Sequence, residues 1–384
     1  MKTVYLVDGL RTPIGKTGGM LKKYLPEMLG AKVLNGLLER NKIEADQIDQ
    51  VILGNAVGPG GNLSRVTLLE AGWPFSIPGI TIDYQCGSGM SSVLLGCSQI
   101  LSGQAELIVA GGLESTSLAP IRQFCSEDPR YNSEKPVFER APFSPSSIGD
   151  PDMGEGAENL AKMMGFSRGE LDTLALQSHQ KATKTLKTGI LDRWILPLEV
   201  DGADCKKDES IREKISEKLL QRMPSVFVKG GVVTAGNACL THDGAAALLL
   251  ASGEAVGRYG LQPIAKFVTG AHVGTDPNLF ALAPVFVIKK LLQDSQLVAD
   301  KIDAIEINEA FAVKILACAK ELKIDLSKIN RLGGALAYGH PYGASGTMII
   351  IHLMATLQHY DQKFGLAAIG VGGGVGAGIL LERC

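Results

Sequence analysis

A cysteine set directly before a glycine-rich helix start is a potential nucleophile, and Cys86 occupies such a place. The run Gly79-Ile-Thr-Ile-Asp-Tyr84 alternates as a strand, Cys86-Gly-Ser-Gly89 follows, and an apolar helical stretch covers 90–101. The positive end of the helix dipole favours a thiolate, and the glycines let a substrate carbonyl approach. Taken alone, the residue reads equally well as a structural cysteine at a strand-helix turn. His340 is held and reachable in Gly333-Gly-Ala-Leu-Ala-Tyr-Gly-His-Pro-Tyr-Gly-Ala-Ser-Gly346, with Pro341 fixing the chain after the imidazole; an isolated histidine is more often a surface or core residue, but the five others lack this setting, which favours a functional role. Asn308-Glu309 ends a predicted strand, where it would cap the next helix or bring an amide to the cysteine turn. Gly370-Val-Gly-Gly-Gly374 could aim backbone N–H groups at a developing oxyanion, or merely allow two halves to pack closely.

These groups lie far apart in sequence, so a frame must bring them together, and the chain carries an internal echo that supplies one. Ile48 to Val57, IDQVILGNAV, matches Ile302 to Phe311, IDAIEINEAF, in its Ile-Asp opening, its alternating apolar strand and an Asn near its end. Cys86-Gly-Ser-Gly89 matches Gly343-Ala-Ser-Gly346, and Val109-Ala-Gly-Gly112 is paired with Val371-Gly-Gly-Gly374. The three matches keep their order and lie roughly 254 to 263 residues apart, as in a duplicated βαβ-type half. Between them, residues 121–235 change texture. Prolines fall at 129, 136, 142, 145 and 151, amphipathic helical patterns cover 156–165 and 168–188, and a charged segment spans 204–218. The expected division is a first half over 1–120, an inserted lid over 121–240, a return to the first half over 241–262, and a second half over 263–384. Long insertions of this kind commonly build substrate sites.

Composition excludes several classes. The chain has 384 residues, 20% charged and 45% hydrophobic, which is a folded protein long enough for two or three domains. Lys plus Arg number 38 against 40 Asp plus Glu, so no strong positive field draws in nucleic acid or an anionic membrane. The longest uncharged stretch, 365–381, is short for a membrane span and holds seven glycines, suiting a buried strand and its turn. The apolar start is broken by Asp8 and Arg11, unlike an export signal, and the seven cysteines show neither C-x-x-C nor zinc spacing. A cytoplasmic protein with free thiols and no metal is expected.

Cys86, Asn308, His340 and the last glycine-rich turn, in that order, resemble the thiolase family. The resemblance spans nearly the whole chain through Arg11-Thr-Pro-Ile-Gly15, Cys86-Gly-Ser-Gly89, Gly111-Gly-Leu-Glu-Ser115, Gly156-Ala-Glu-Asn-Leu160, Val233-Thr-Ala-Gly-Asn237, Asp243-Gly-Ala-Ala246, Asn308-Glu-Ala-Phe311 and Gly339-His-Pro-Tyr-Gly-Ala-Ser-Gly346. It implies an α/β fold of two duplicated βαβαβαββ halves in five layers with an inserted loop domain. It implies an acyl-CoA acyltransferase, with Cys86 carrying the acyl group and the Cys86 and Gly372 amides forming one oxyanion hole. His340, with a water on Asn308, would form the other. Coenzyme A thioesters are then substrates, with no resident cofactor, and Met153, Arg212, Ala235 and Cys239 match family positions along the CoA path. Homodimers or homotetramers are the family's usual assemblies. The sequence departs from the pattern at Gly370, where the family has a second, acid/base cysteine, at Cys239-Leu240, where Ser-Gly is usual, and at Asp152, where histidine is common. Loading acyl onto Cys86 needs none of these groups, whereas moving a proton at carbon does. The expectation is thiolase-type condensation or thiolysis; decarboxylative condensation, thioester hydrolysis and binding without turnover are the alternatives.

Overall fold

The computed structural model describes residues 2–138 and 140–384. Nine principal strands form one mixed sheet: β1 (Val4–Arg11), β2 (Gln50–Gly54), β3 (Gly79–Ile82), β4 (Leu107–Glu114), β5 (His242–Ser252), β6 (Ala265–Gly274), β7 (Ala304–Ile307), β8 (Phe364–Val371) and β9 (Val375–Arg383). They run in the order β7-β8-β9-β6-β1-β5-β4-β2-β3. β2 pairs in parallel with β3 and β4, as β7 does with β8, and the other neighbours are antiparallel. The central joint, β1 on β6, is short, with only Tyr5 facing Lys266 and Leu6 facing Ala265. On either side of it the order repeats, β1-β5-β4-β2 against β6-β9-β8-β7, so the duplication is present as expected.

The helices follow the same repeat: α1 (Pro26–Asn41), α2 (Leu63–Glu70) and α3 (Ser88–Ser102) in the first half, α4 (Met153–Met164) and α5 (Arg168–Thr188) between, then α6 (Ala283–Ser295), α7 (Ala312–Leu322) and α8 (Tyr342–His359). α8 reads Tyr-Gly-Ala-Ser-Gly-Thr-Met-Ile-Ile-Ile-His-Leu-Met-Ala-Thr-Leu-Gln-His and is buried nearly all round, as an apolar helix without a polar face must be. It packs on α3 between the two sheet halves, while α1 and α2 cover one outer face and α6 and α7 the other. Five layers around three apolar cores result, matching the expected architecture.

One expected pairing is displaced. Residues 109–112 lie inside β4, whose counterpart is β8, whereas 372–374 form the turn after β8. Matching by glycine runs therefore paired a strand interior with a turn. The true equivalent of that turn is the insertion. β4 and β5 are antiparallel neighbours, with Glu114 opposite Gly244, yet residues 115–241 intervene, where a tight turn joins β8 to β9. A second asymmetry concerns the edges. β3 is a half-exposed edge, whereas β7 is wholly buried and carries an isolated bridge from Ile305 to Ile329.

The insertion is tied to both halves. Arg11 makes a bidentate pair with Asp208 at 2.8 Å on each arm, both side chains essentially buried. From α5, which begins on a Ser167/Glu170 capping box, Ser178 donates to Glu309 at 2.6 Å and Thr185 to the Leu332 carbonyl at 3.0 Å. Among the described residues no helix is long and apolar enough to cross a membrane, and the seven cysteines are unpaired.

Candidate active site

Cys86 ends the loop from β3 and lies two residues before α3, half-buried. Its neighbour in space is the loop before α8, because two backbones approach with no room for side chains. A Cβ on Gly112 would fall 1.9 Å from the Gly343 carbonyl oxygen, and one on Gly89 2.6 Å from the same atom. Thr347 adds a hydrogen bond to the Gly89 carbonyl at 3.0 Å. Glu114, at the end of β4, accepts from the amides of Gly343 and Ala56 at 3.0 Å and from Asn55 Nδ2 at 2.8 Å, locking the loop to the first half. Burial pushes Glu114 up to about 7, against those donors.

His340 is held at both ring nitrogens. Nδ1 lies 2.6 Å from Ser345 Oγ, and Nε2 lies 3.4 Å from Asn308 Nδ2. An amide nitrogen can only donate, so Nε2 is the acceptor and the ring proton sits on Nδ1, toward Ser345. Burial, aided by Lys314 and His242, lowers the imidazole pKa to about 3, so the ring is a neutral base. Asn308 follows β7, its amide donating to the Ala368 carbonyl of β8 at 3.2 Å.

The thiol departs from the dipole argument. Burial dominates and pushes Cys86 up to about 11, with Lys314 acting downward and Glu114 upward. A helix N-terminus contributes about 0.3–1 kcal/mol, less than desolvating a thiolate costs. The sulfur therefore rests as a thiol. Gly372 lies in the turn beyond β8; the adjoining Val371 would be 2.9 Å from a Cβ on Gly87, and Phe143 covers Gly372 from the insertion. Neither the Cys86 nor the Gly372 amide has an intrachain acceptor among the described residues.

The residues expected along the CoA path divide. Cys239 joins the Cys86 cluster, its amide on the Ala310 carbonyl at 2.9 Å and its thiol pushed up to about 12 by burial, then by Cys86. Arg212 and Ala235 line a small cavity with Ala238, Leu240 and His242. Arg212 also borders a groove of about 380 Å³ flanked by Lys184 and Lys187. Met153 stands apart from both, at the start of α4, where Gly154 abuts the Phe227 ring and Phe227 meets Phe311 edge-on. Ser345 and Glu114 were missed because they act through other residues. Lys314 was missed although Phe311, Lys314, Ile315 and Cys318 share one helical face, all buried.

A buried neutral imidazole and a protonated thiol thus lie at the junction of two homologous α/β halves. The comparisons give the family: the profile of the thiolase N-terminal domain matches residues 4–254 and that of the thiolase C-terminal domain residues 261–383, and the chain belongs to the thiolase family, an acyltransferase family. It is 43% identical over 380 residues, 98% of each chain, to a Bacillus subtilis protein named "Putative acetyl-CoA C-acetyltransferase YhfS". It is 42% identical over the full length of both chains to VraB of Staphylococcus aureus, which bears the same enzyme name. The fold superposes on the crystal structure of Bacillus anthracis acetyl-CoA acetyltransferase with a TM-score of 0.94 and 34% identity, covering 100% and 99% of the two chains. Human mitochondrial 3-ketoacyl-CoA thiolase in complex with CoA gives 0.92 and 34%, covering 100% and 98%.

Proposed function

We propose that the protein transfers acyl groups between coenzyme A thioesters through an acyl-cysteine at Cys86, in the manner of an acetyl-CoA C-acetyltransferase. The observation that carries the proposal is His340, a neutral base whose free nitrogen faces Asn308 beside the Cys86 turn. The thiol must lose its proton for the sulfur to add, and His340 Nε2, the unprotonated ring nitrogen, is the acceptor we assign to it. The thioester carbonyl then sits between the Cys86 and Gly372 amides, which supply hydrogen bonds to the oxyanion as the sulfur adds. Collapse expels CoA thiolate, which takes the proton back from His340 and leaves the ring neutral. Asn308 Nδ2, a donor, next polarises the carbonyl of a second thioester.

Around this centre, Met153, Ala235 and Cys239 would line the pantetheine path, and Arg212, beside Lys184 and Lys187, would meet the phosphates of CoA. CoA is a substrate here; no resident cofactor is invoked. We further assign the protein to the cytoplasm and, through the β3 edge, to a homo-oligomer, which light scattering would read directly.

Intact-protein mass after treatment with acetyl-CoA tests the first half-reaction. An acetyl adduct of the wild type that is absent from Cys86→Ala supports the reading, and an adduct persisting in the variant removes Cys86 as nucleophile. The decay of acetoacetyl-CoA enolate absorbance with added CoA follows the whole reaction.

A further inference from the structure

Lys314 is fully buried in the first turn of α7, six residues after Asn308. Its Nζ donates to the Gly370 carbonyl at 3.2 Å. That carbonyl is at the end of β8, one residue before the Val371 side chain that would touch a Cβ on Gly87 beside Cys86. The titratable groups that act on Lys314 are Cys86, Cys318 and Cys239, all held as neutral thiols by burial, with no carboxylate among them, and His340 lies within its electrostatic reach. A lysine with no anionic partner is seldom enclosed in a core, because burying an unpaired ammonium is costly. At this position the expense is explained if the amine works uncharged.

We propose that Lys314 is the acid/base that moves the proton at carbon, the task left without a side chain at Gly370. This deepens the proposed function and rests on it. With Cys86 acylated, the neutral amine takes a proton from C2 of the second thioester and becomes an ammonium. The electron pair forms an enolate whose oxygen accepts from Asn308 Nδ2. The enolate carbon attacks the acyl-cysteine carbonyl, the C–C bond forms, the C–S bond breaks, and the departing Cys86 thiolate receives the proton from the ammonium. Free cysteine and neutral lysine are regenerated. In cleavage the same proton travels the other way. Burial lowers the lysine pKa below its ordinary value and so makes the uncharged amine accessible, while Cys86, Cys318 and Cys239, when ionised, act in the opposite sense.

The test separates the half-reactions in wild type, Lys314→Met and Lys314→Arg. Acetylation of Cys86 is read by intact mass, α-proton exchange by loss of methyl protons of acetyl-CoA in D2O, and thiolysis by enolate absorbance. Both variants should still acetylate Cys86, slowed by about tenfold or less, while exchange and thiolysis fall by about 10² to 10⁴. Arginine keeps a cation for the Cys86 thiolate but cannot release its proton, so it distinguishes proton transfer from simple charge stabilisation. The wild-type exchange rate should rise with pH along one ionisation that both variants lose. Exchange within tenfold of wild type in Lys314→Met overturns the assignment, as does full activity in Lys314→Arg or an equal loss of acetylation and exchange. A wild type that neither acetylates nor exchanges overturns the proposed function and this assignment with it. Should the methionine variant fail to fold by circular dichroism, the arginine variant still decides.

Discussion

Around Cys86 each side chain can be weighed by what its removal leaves behind. Ser345→Ala deletes the acceptor that fixes the His340 tautomer at 2.6 Å, so Nε2 is no longer reserved as the base. Turnover should fall about tenfold to a hundredfold, with the KM for acetyl-CoA little changed, and steady-state kinetics on both parameters would check it. Restoring a cysteine at position 370 has the opposite lesson. A Cβ there would lie 2.7 Å from Pro284 Cδ and 3.1 Å from the Phe280 carbonyl, a rigid ring and a backbone atom. Gly370→Cys should cost about 1–3 kcal/mol by overpacking and should not raise thiolysis; urea unfolding beside the activity assay reads both, and a gain in rate at unchanged stability contradicts the packing argument. Cys86, Asn308 and His340 could be singled out as candidates in the sequence because each stands in a local setting that is odd for a structural residue. Lys314 was not, because a lysine within an amphipathic helix is normally read as its wet face, and only the packing of α7 on the strand end shows that it points inward. The charge state of the thiol was misread for a different reason. A dipole can be inferred from the order of elements, but the depth of burial that outweighs it is a property of the finished fold.

Among the elements, the insertion is the one whose attachment decides whether a substrate bay exists. Its buried link to the first half is Arg11 on Asp208, and Asp208 Oδ1 also accepts from the Ile14 amide at 2.8 Å. Replacing Arg11 by methionine leaves a buried carboxylate without its cation, which costs about 3–5 kcal/mol. Limited proteolysis should then cut within 202–216 faster than in wild type while β1 and β5 stay intact; equal cleavage rates would show that the pair does not fasten this segment. The helix over 168–188 was readable to the residue because the capping box opens it and Gly189 closes it in the left-handed region. The pairing of 109–112 with 371–374 was wrong because glycine marks both a strand interior pressed against Gly343 and a turn, and sequence alone does not tell the two uses apart. The burial of the β7 edge was equally hidden, since the contact between Ile305 and Ile329 exists only in the folded chain.

For the whole molecule, acid sensitivity follows from burial. Five of the six histidines, at 179, 242, 272, 340 and 352, have lowered pKa values, each chiefly from desolvation. A histidine held neutral in the fold takes up a proton on unfolding once the pH drops below about 6.5, so its contribution to stability drains away from there toward the folded values, about 4 for His179 and about 3 for His340. Glu114, Glu306 and Glu309 are shifted upward and work against this, since their protonated forms favour the fold as pH falls. The histidines outnumber these glutamates, and the expected outcome is that their loss prevails. The melting temperature should fall between pH 7 and pH 5, and His352→Leu should flatten the slope; a melting temperature at pH 5 equal to that at pH 7 would contradict the reasoning. The graft point of the insertion has a consequence of another kind. Both ends of segment 115–241 emerge from adjacent rungs of one antiparallel ladder, where the sister half needs only a tight turn. Length and chemistry can thus drift within that segment without disturbing the strands that aim Cys86 and His340, so a lineage could change which acyl chains it accepts while its reaction stays the same.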